Sequence, residues 1–372
     1  GRAEQGTCAS GSADPLEGCL ADAGGDDDEE SSIRWTVPQA VQALSYYFQS
    51  EPFVRRSQVI VCCEPLWLCI LLHAALGPEK LLVRASMCLL HSFINVFGKH
   101  ALDDFWPLVR AFTADAAPLG IASAAARISA EMLAFQTGMR LPYVPALSLH
   151  VKQTAVYTAT LNEVLIFRSH LPSGPSFRRL VKLMAADLNQ APAIVDMKAG
   201  ISFADIASYR AVIILPHVPY AQRLSDVFAM ALPSLVPAEP LIHKFVWPYA
   251  GPFCGRSDSA FSRSIDQLAE NRSQPPYSPF DFQTEDLHPE SFHNDRRYWL
   301  QYSEWELRPH LIRFRSVPHL LVLAATGDDE LQEVSRRMRQ HHHEVSLEAM
   351  EYWSRAALIA ASLAARSEFQ TR

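Results

Sequence analysis

The stretch from Ser202 to Ile242 limits the fold more than any other part of the chain. It opens with a short amphipathic segment, Phe203 to Tyr209, and continues in a near-unbroken apolar run, Ala211 to Leu215. A run of that length with turn residues behind it predicts a strand buried on both faces. Pro216, His217, Val218, Pro219 and Tyr220 follow, too rich in proline to continue as strand or helix. Leu224 to Ala231 then reads as a helix and Pro233 to Val236 as a second buried strand. Strand, polar loop, helix and strand make one unit of a parallel sheet, whose ligands bind beyond the carboxyl ends of the strands. His217, Tyr220, Arg223, Ser225 and Asp226 fall on that rim.

A second unit of the same kind lies just upstream. Glu163 to Phe167 reads as a strand, with Arg168, Ser169 and His170 at its carboxyl end. The loop Pro172, Ser173, Gly174, Pro175, Ser176 leads into an amphipathic helix, Phe177 to Asn189. A strand feeding a Ser/Gly loop and a helix N-terminus is an anion site in the making. Arg168 and the backbone N–H groups from Ser173 through Gly174 to Ser176 are placed for a diphosphate, with Arg178 and Arg179 read mainly as solvated. There is no Walker pattern and no GxGxxG, which disfavours ATP hydrolysis and ordinary dinucleotide binding.

With Asp226 seven residues before Pro233, the line from Ser202 to Ile242 resembles the donor-binding segment of glycosyltransferases with the GT-B fold. The pattern of that family is a Pro/Ser loop, a helix bearing Glu, then Gly and Pro opening the next strand. Here Asp226 stands at the Glu and Ala231 at the Gly, where an added Cβ is expected to hinder close backbone approach. The resemblance implies an α/β fold of two facing Rossmann-like domains with parallel sheets and a terminal helix returning to the first. On that basis the expected layout is an acidic disordered tail over 1–30, an acceptor-side domain over 31–150, a donor domain over 151–343 and a returning helix over 344–372. It further implies transfer of a sugar from a nucleotide-sugar co-substrate to an acceptor the sequence does not name. No metal and no other cofactor is implied, since cationic side chains and helix N-termini neutralise the leaving diphosphate in that family. The alternative is a non-catalytic relative that binds a nucleotide or sugar or serves as a scaffold.

The rest of the chain supplies context. Residues 1–30 are small, Gly-rich and acidic, a composition that does not offset its ordering entropy. Val37 to Gln49 is a helix with Thr36 as N-cap, Gln58 to Cys63 a buried strand, and Leu66 to Leu76 an apolar helix stopped at Gly77-Pro78. Further strands are expected at 80–85 and 119–124, and helices at 103–113 and 126–137, so strands alternate with helices here too. A general base for an inverting transfer belongs on this half, and Glu64 and His91 are its candidates, each also explained by ordinary capping or solvation. Cys62, Cys63, Cys69, Cys88 and Cys254 lie mostly in apolar surroundings and read as buried free thiols, while Cys8 and Cys19 show no metal or redox spacing.

After 253 the chain is polar and rich in Pro, Ser and Asp to about Glu290, with a glycosylation sequon at Asn271 that matters only on the secretory route. Phe292 to Glu306 is aromatic and helix-like, 309–314 a last strand, and 317–323, 328–341 and 345–366 are helical. His341 to His343 reads as cations complementing a helix carboxyl end rather than as a zinc tract. A net charge of −7 with no basic stripe argues against nucleic acid, and no apolar run has the length of a membrane span. The sequence assigns no compartment: cytoplasmic, or the ER and Golgi lumen if a signal precedes Gly1, which itself suggests a fragment or processed chain.

Overall fold

A computed structural model describes residues 35–370, apart from 58, 64, 79–80, 86–92, 94–95, 99–100, 168–172, 190, 217–221, 240 and 247–299. The fold is α/β, with two separate parallel sheets. The first has the order β1-β2-β3, formed by Ile60–Cys62, Leu81–Ala85 and Ala122–Ala124. The second has the order β5-β4-β6-β7-β8. Its strands are β4 (Leu161–Ile166), β5 (Ala193–Asp196), β6 (Tyr209–Ile213), β7 (Ser234–Pro237) and β8 (Ile312–Phe314). The expected strands at 58–63 and 163–167 therefore belong to different sheets, and the parallel α/β class read from the sequence holds.

The first sheet builds its core from neighbouring helices. Helix α1 (Val37–Ser50) starts on a capping box in which Thr36 Oγ1 accepts from Gln39 N and Gln39 Oε1 from Thr36 N. After the short α2 (Pro52–Arg56) and β1, α3 (Leu66–Leu76) is apolar nearly all round, and Gly77 ends it at φ 77°. That φ lies in the region a glycine adopts without a Cβ penalty. Leu66, Ile70 and Leu71 pack with Leu81 and Val83 of β2 and with Phe105 and Phe112 of α4 (Leu102–Leu119). Strand β1 differs from expectation. It is the sheet's outer strand, and Val61 is 60% exposed, so it is not buried on both faces.

The cysteines are a second correction. Cys62 at the end of β1 and Cys69 in α3 form a disulfide instead of two buried thiols, while Cys63 is free and exposed. Cys8, Cys19, Cys88 and Cys254 lie outside the described residues.

The second sheet is covered on both faces, and the period-2 alternation of its strands shows it. Leu165, Phe167, Val212, Ile214 and Val236 turn to one core with Leu224, Val227 and Phe228. Val164, Ile166, Ala211, Ile213 and Leu235 turn to the other with Phe177, Val181, Phe314 and Leu320. The first face holds α6 (Leu149–Thr154), α8 (Phe203–Ser208) and α9 (Gln222–Ala229). The second holds α7 (Ser173–Asp187), α10 (His243–Val246) and α12 (Val317–Ala324). Before β8 lies the short α11 (Glu304–Leu307); of the expected aromatic helix over 292–306, residues 292–299 lie outside the described residues and 301–303 form a turn.

Two helices serve both cores. In α5 (Arg127–Thr137), Ala130 and Leu133 face the first core, whereas Ile128 and Met132 face the second. The last helix, α13 (Asp328–Gln370), runs unbroken, so the expected pair over 328–341 and 345–366 is one element. Met338 packs on the second core and Ala356 and Ala360 on the first, where Tyr352 donates to Gly120 O at 3.0 Å or Ala122 O at 2.9 Å. At its start, buried Arg210 on β6 reaches Asp328 at 3.1 Å and also donates to Thr326 O. The terminal helix thus packs on both cores, and it begins at Asp328.

His341 to His343 fall in mid-helix, which removes the macrodipole as their explanation. His342 is buried, with Nε2 2.9 Å from Leu147 O and Nδ1 3.2 Å from Ser346 Oγ. Burial lowers its pKa below 6.5, and the cations Lys152, Arg308 and His341 push the same way, against the opposing Leu147 contact. Because the folded pKa lies below the unfolded one, the unfolded chain takes up this proton first as pH falls. The stability His342 contributes is complete above about pH 6.5 and is lost below it. The urea midpoint is expected to drop between about pH 7 and about pH 5, and His342→Gln to make that drop shallower. An identical pH profile in the variant would show that His342 has no part in it.

Candidate functional site

In sequence order the second sheet reads 2-1-3-4-5, and neighbouring strands β4 and β6 mark the place where the order reverses. The connections leaving these two strands go to opposite faces, α7 on one and α9 on the other. Divergent connections open a crevice beyond the carboxyl ends, the usual ligand position in such sheets. The described parts of both stretches singled out from the sequence, 173–176 and 222–226, lie in α7 and α9, the helices that follow β4 and β6.

Of the named residues, Arg168, Ser169, His217 and Tyr220 lie outside the described residues, as do His91 and Glu64. Ser173, Gly174 and Ser176 are described, and they correct the expected loop. Helix α7 already begins at Ser173, so all three belong to its first turn, with Gly174 buried and Ser176 exposed. Pro175 tolerates this place because first-turn N–H groups have no intrahelical partner.

On the other side of the crevice, α9 begins at Gln222, two residues before the expected start. Asp226 consequently sits in the second turn, not the first, with its side chain 14% exposed. Arg223 is its neighbour one turn back, Nη1 lying 3.9 Å from Asp226 Oδ2. The Arg223 guanidinium also stands 5.7 Å from the Phe167 ring centroid and 5.8 Å from that of Phe203. Two aromatic faces hold the cation in place at the end of β4 while it remains 44% exposed. A half-exposed guanidinium beside a mostly buried carboxylate can bind an oxyanion and a diol side by side.

Ser225 behaves differently. It is 5% exposed, and its Oγ accepts from Arg308 Nη2 at 3.0 Å. Arg308 also donates from Nε to Glu304 Oε2 at 2.6 Å and stacks 5.1 Å from the Phe228 ring centroid. The second oxygen of Glu304 accepts from Tyr143 Oη at 3.0 Å. Tyr143 in turn bridges to Ala124 at the end of β3. Burial, followed by the Glu304 charge, raises the Tyr143 pKa far above its ordinary value, so its hydroxyl remains a donor. This buried chain of contacts runs from the first sheet through α11 to the second turn of α9. Sequence reading missed it, and its only sequence signal is the i,i+4 spacing of Glu304 and Arg308.

Ala231 ends α9 in a left-handed conformation. It has φ 56°, and the bonds Leu232 N to Val227 O and Ala231 N to Phe228 O close α9 in a Schellman motif. The left-handed residue is required by the helix cap, and its Cβ is buried in the core. The Ala231 Cβ thus bears the strain of a helix cap.

Among the described residues no three His, Cys, Asp or Glu side chains converge to hold a metal ion, and no helix is long and apolar enough to cross a membrane. No model of a known protein family matches the chain, and no curated protein is significantly similar to it.

Proposed function

We propose that this chain is a GT-B-type glycosyltransferase that binds a nucleotide sugar at the crevice between β4 and β6 and transfers the sugar to an acceptor. The observation that supports it is the position of Arg223 and Asp226 on the helix leaving β6, beside the point of strand reversal. Arg223, held by two rings, neutralises the diphosphate together with the N-terminal turn of α7. Asp226 accepts hydroxyl hydrogen bonds from a vicinal diol of the ribose or the sugar. Ser225 acts through Arg308 to position the helix and does not touch the ligand. The residue that takes the acceptor's proton is left unassigned.

Asp226→Asn tests this reading. It keeps the shape and removes the charge, so donor binding should weaken by on the order of 1.5–3 kcal/mol. The partly exposed pair with Arg223 contributes little, so the melting temperature should hardly move. Unaltered donor binding with a clear loss of stability would make Asp226 structural. A panel of nucleotide sugars, read by thermal shift and by release of nucleoside diphosphate, separates transferase from binding module: both shift, and only the transferase releases product.

A further inference from the structure

We propose a second, separate anion site on α7 at the outer edge of the second sheet, which takes a phosphate or sulfate ester carried on a ligand of about monosaccharide size. A depression of about 370 Å³ lies there, lined by Pro175, Arg178, Arg179, Lys182, Leu183 and Asp196. Its volume falls within the range of small-molecule sites. It belongs to the face of the sheet opposite Arg223, because Phe177 and Val181 of α7 pack in one core and Phe167 and Leu224 in the other. The site stands whether or not the chain transfers a sugar.

The charges around the depression do not balance. Three cations, Arg178, Arg179 and Lys182, share one carboxylate, Asp196 at the end of β5. Lys182 Nζ donates to Asp196 Oδ2 at 2.7 Å, and Arg178 Nη1 stands 3.6 Å from Oδ1. Arg178 Nε is buried without a hydrogen-bond partner, and Arg179 has no partner among the described residues. That Nε is closed to solvent, so an anion in the depression is met by the Arg178 Nη groups and by Arg179. The three cations lie in the second and third turns of α7, beyond the reach of the helix-end dipole, so their own charges make the site. Asp196 in this arrangement holds the cations apart and competes with the ligand. Leu183, 54% exposed, and Pro175 offer an apolar wall for the body of the ligand.

Asp196 makes the site testable in a direction that a structural salt bridge does not share. Titrations of the whole chain with inorganic phosphate and with inorganic sulfate are followed by calorimetry and thermal shift. Binding is expected to tighten about fivefold or more in Asp196→Asn, since a competing charge a few ångströms away is removed. Arg178→Gln is expected to lose most of it. Circular dichroism checks that each variant is folded, and Arg179→Gln, on an exposed side chain, provides a variant that keeps the fold in any case. Sugar phosphates, sugar sulfates and the parent neutral sugar then tell the two ester sources apart, the neutral sugar giving no shift. Absence of anion binding by the wild type, weaker or unchanged binding in Asp196→Asn, or full binding in both arginine variants would overturn the assignment. Donor binding measured on the same variants should be unaffected, which separates this site from the crevice.

Discussion

Arg308→Ala is expected to destabilise the protein by on the order of 3–5 kcal/mol, the largest effect of any single substitution considered. The side chain is 9% exposed and its partner Glu304 is 5% exposed, so alanine leaves a carboxylate in the interior without its counter-ion. Among the described residues the Tyr143 hydroxyl alone remains to it, and one neutral donor does not offset the desolvation of a charge. The contact with the Phe228 face and the bond to Ser225 disappear as well. A matched double variant separates pairing from packing. Arg308→Met with Glu304→Leu removes both charges and keeps apolar volume, and it should cost far less than Arg308→Ala alone. Equal losses in the single and double variants would mean that packing, not the buried charge, sets the cost. Urea unfolding at neutral pH measures both, and a single-variant loss below about 1 kcal/mol would put the pair in the class of exposed ion pairs.

The strand β6 and the break after it were legible because their signals are local. The apolar run Ala211 to Leu215 and the prolines behind it define a strand and its end without help from elsewhere. The start of α9 was less legible, since nothing in Gln222 or Arg223 announces a cap, and a shift of two residues moves Asp226 by about half a turn. The terminal helix was misread at its histidines. From Asp328 to Gln370 there is no Gly or Pro, so nothing in the backbone chemistry stops the helix, and three adjacent histidines are no stop signal. The chain of contacts through Glu304 and Arg308 is tertiary: Ser225 lies 83 residues from Arg308, and Tyr143 lies 161 from Glu304. No periodicity encodes such pairings. The loop over 172–176 looked like a phosphate loop because Ser, Gly and Pro are loop formers, yet the same residues also suit the first turn of a helix.

Removing the disulfide between Cys62 and Cys69 should lower stability by about 2.5 kcal/mol, the second large effect. The two residues are separated by 7 in sequence, and closing so short a loop restricts the unfolded chain less than a long one does. What the bond holds in the folded state matters as much. Strand β1 has three residues, pairs only with β2 and leaves Val61 exposed, so its own contacts hold it weakly. The bond ties its carboxyl end to Cys69 in the middle of α3, which is fully buried among Leu66, Ile70 and Leu71. A reduced chain should therefore loosen first at β1, and amide exchange at Ile60 to Cys62 should accelerate more than at Leu81 to Ala85. Dithiothreitol on the wild type and the double variant Cys62→Ala with Cys69→Ala should give similar losses in denaturant unfolding. Cys63→Ser is the control, because that thiol is exposed and unbonded, and it should change neither stability nor the effect of the reductant. No shift on reduction would mean that Cys62 and Cys69 remain thiols in solution. Expression in a reducing cytosol should then match the double variant in stability, and expression in an oxidising compartment should match the wild type, since such bonds persist only in the latter.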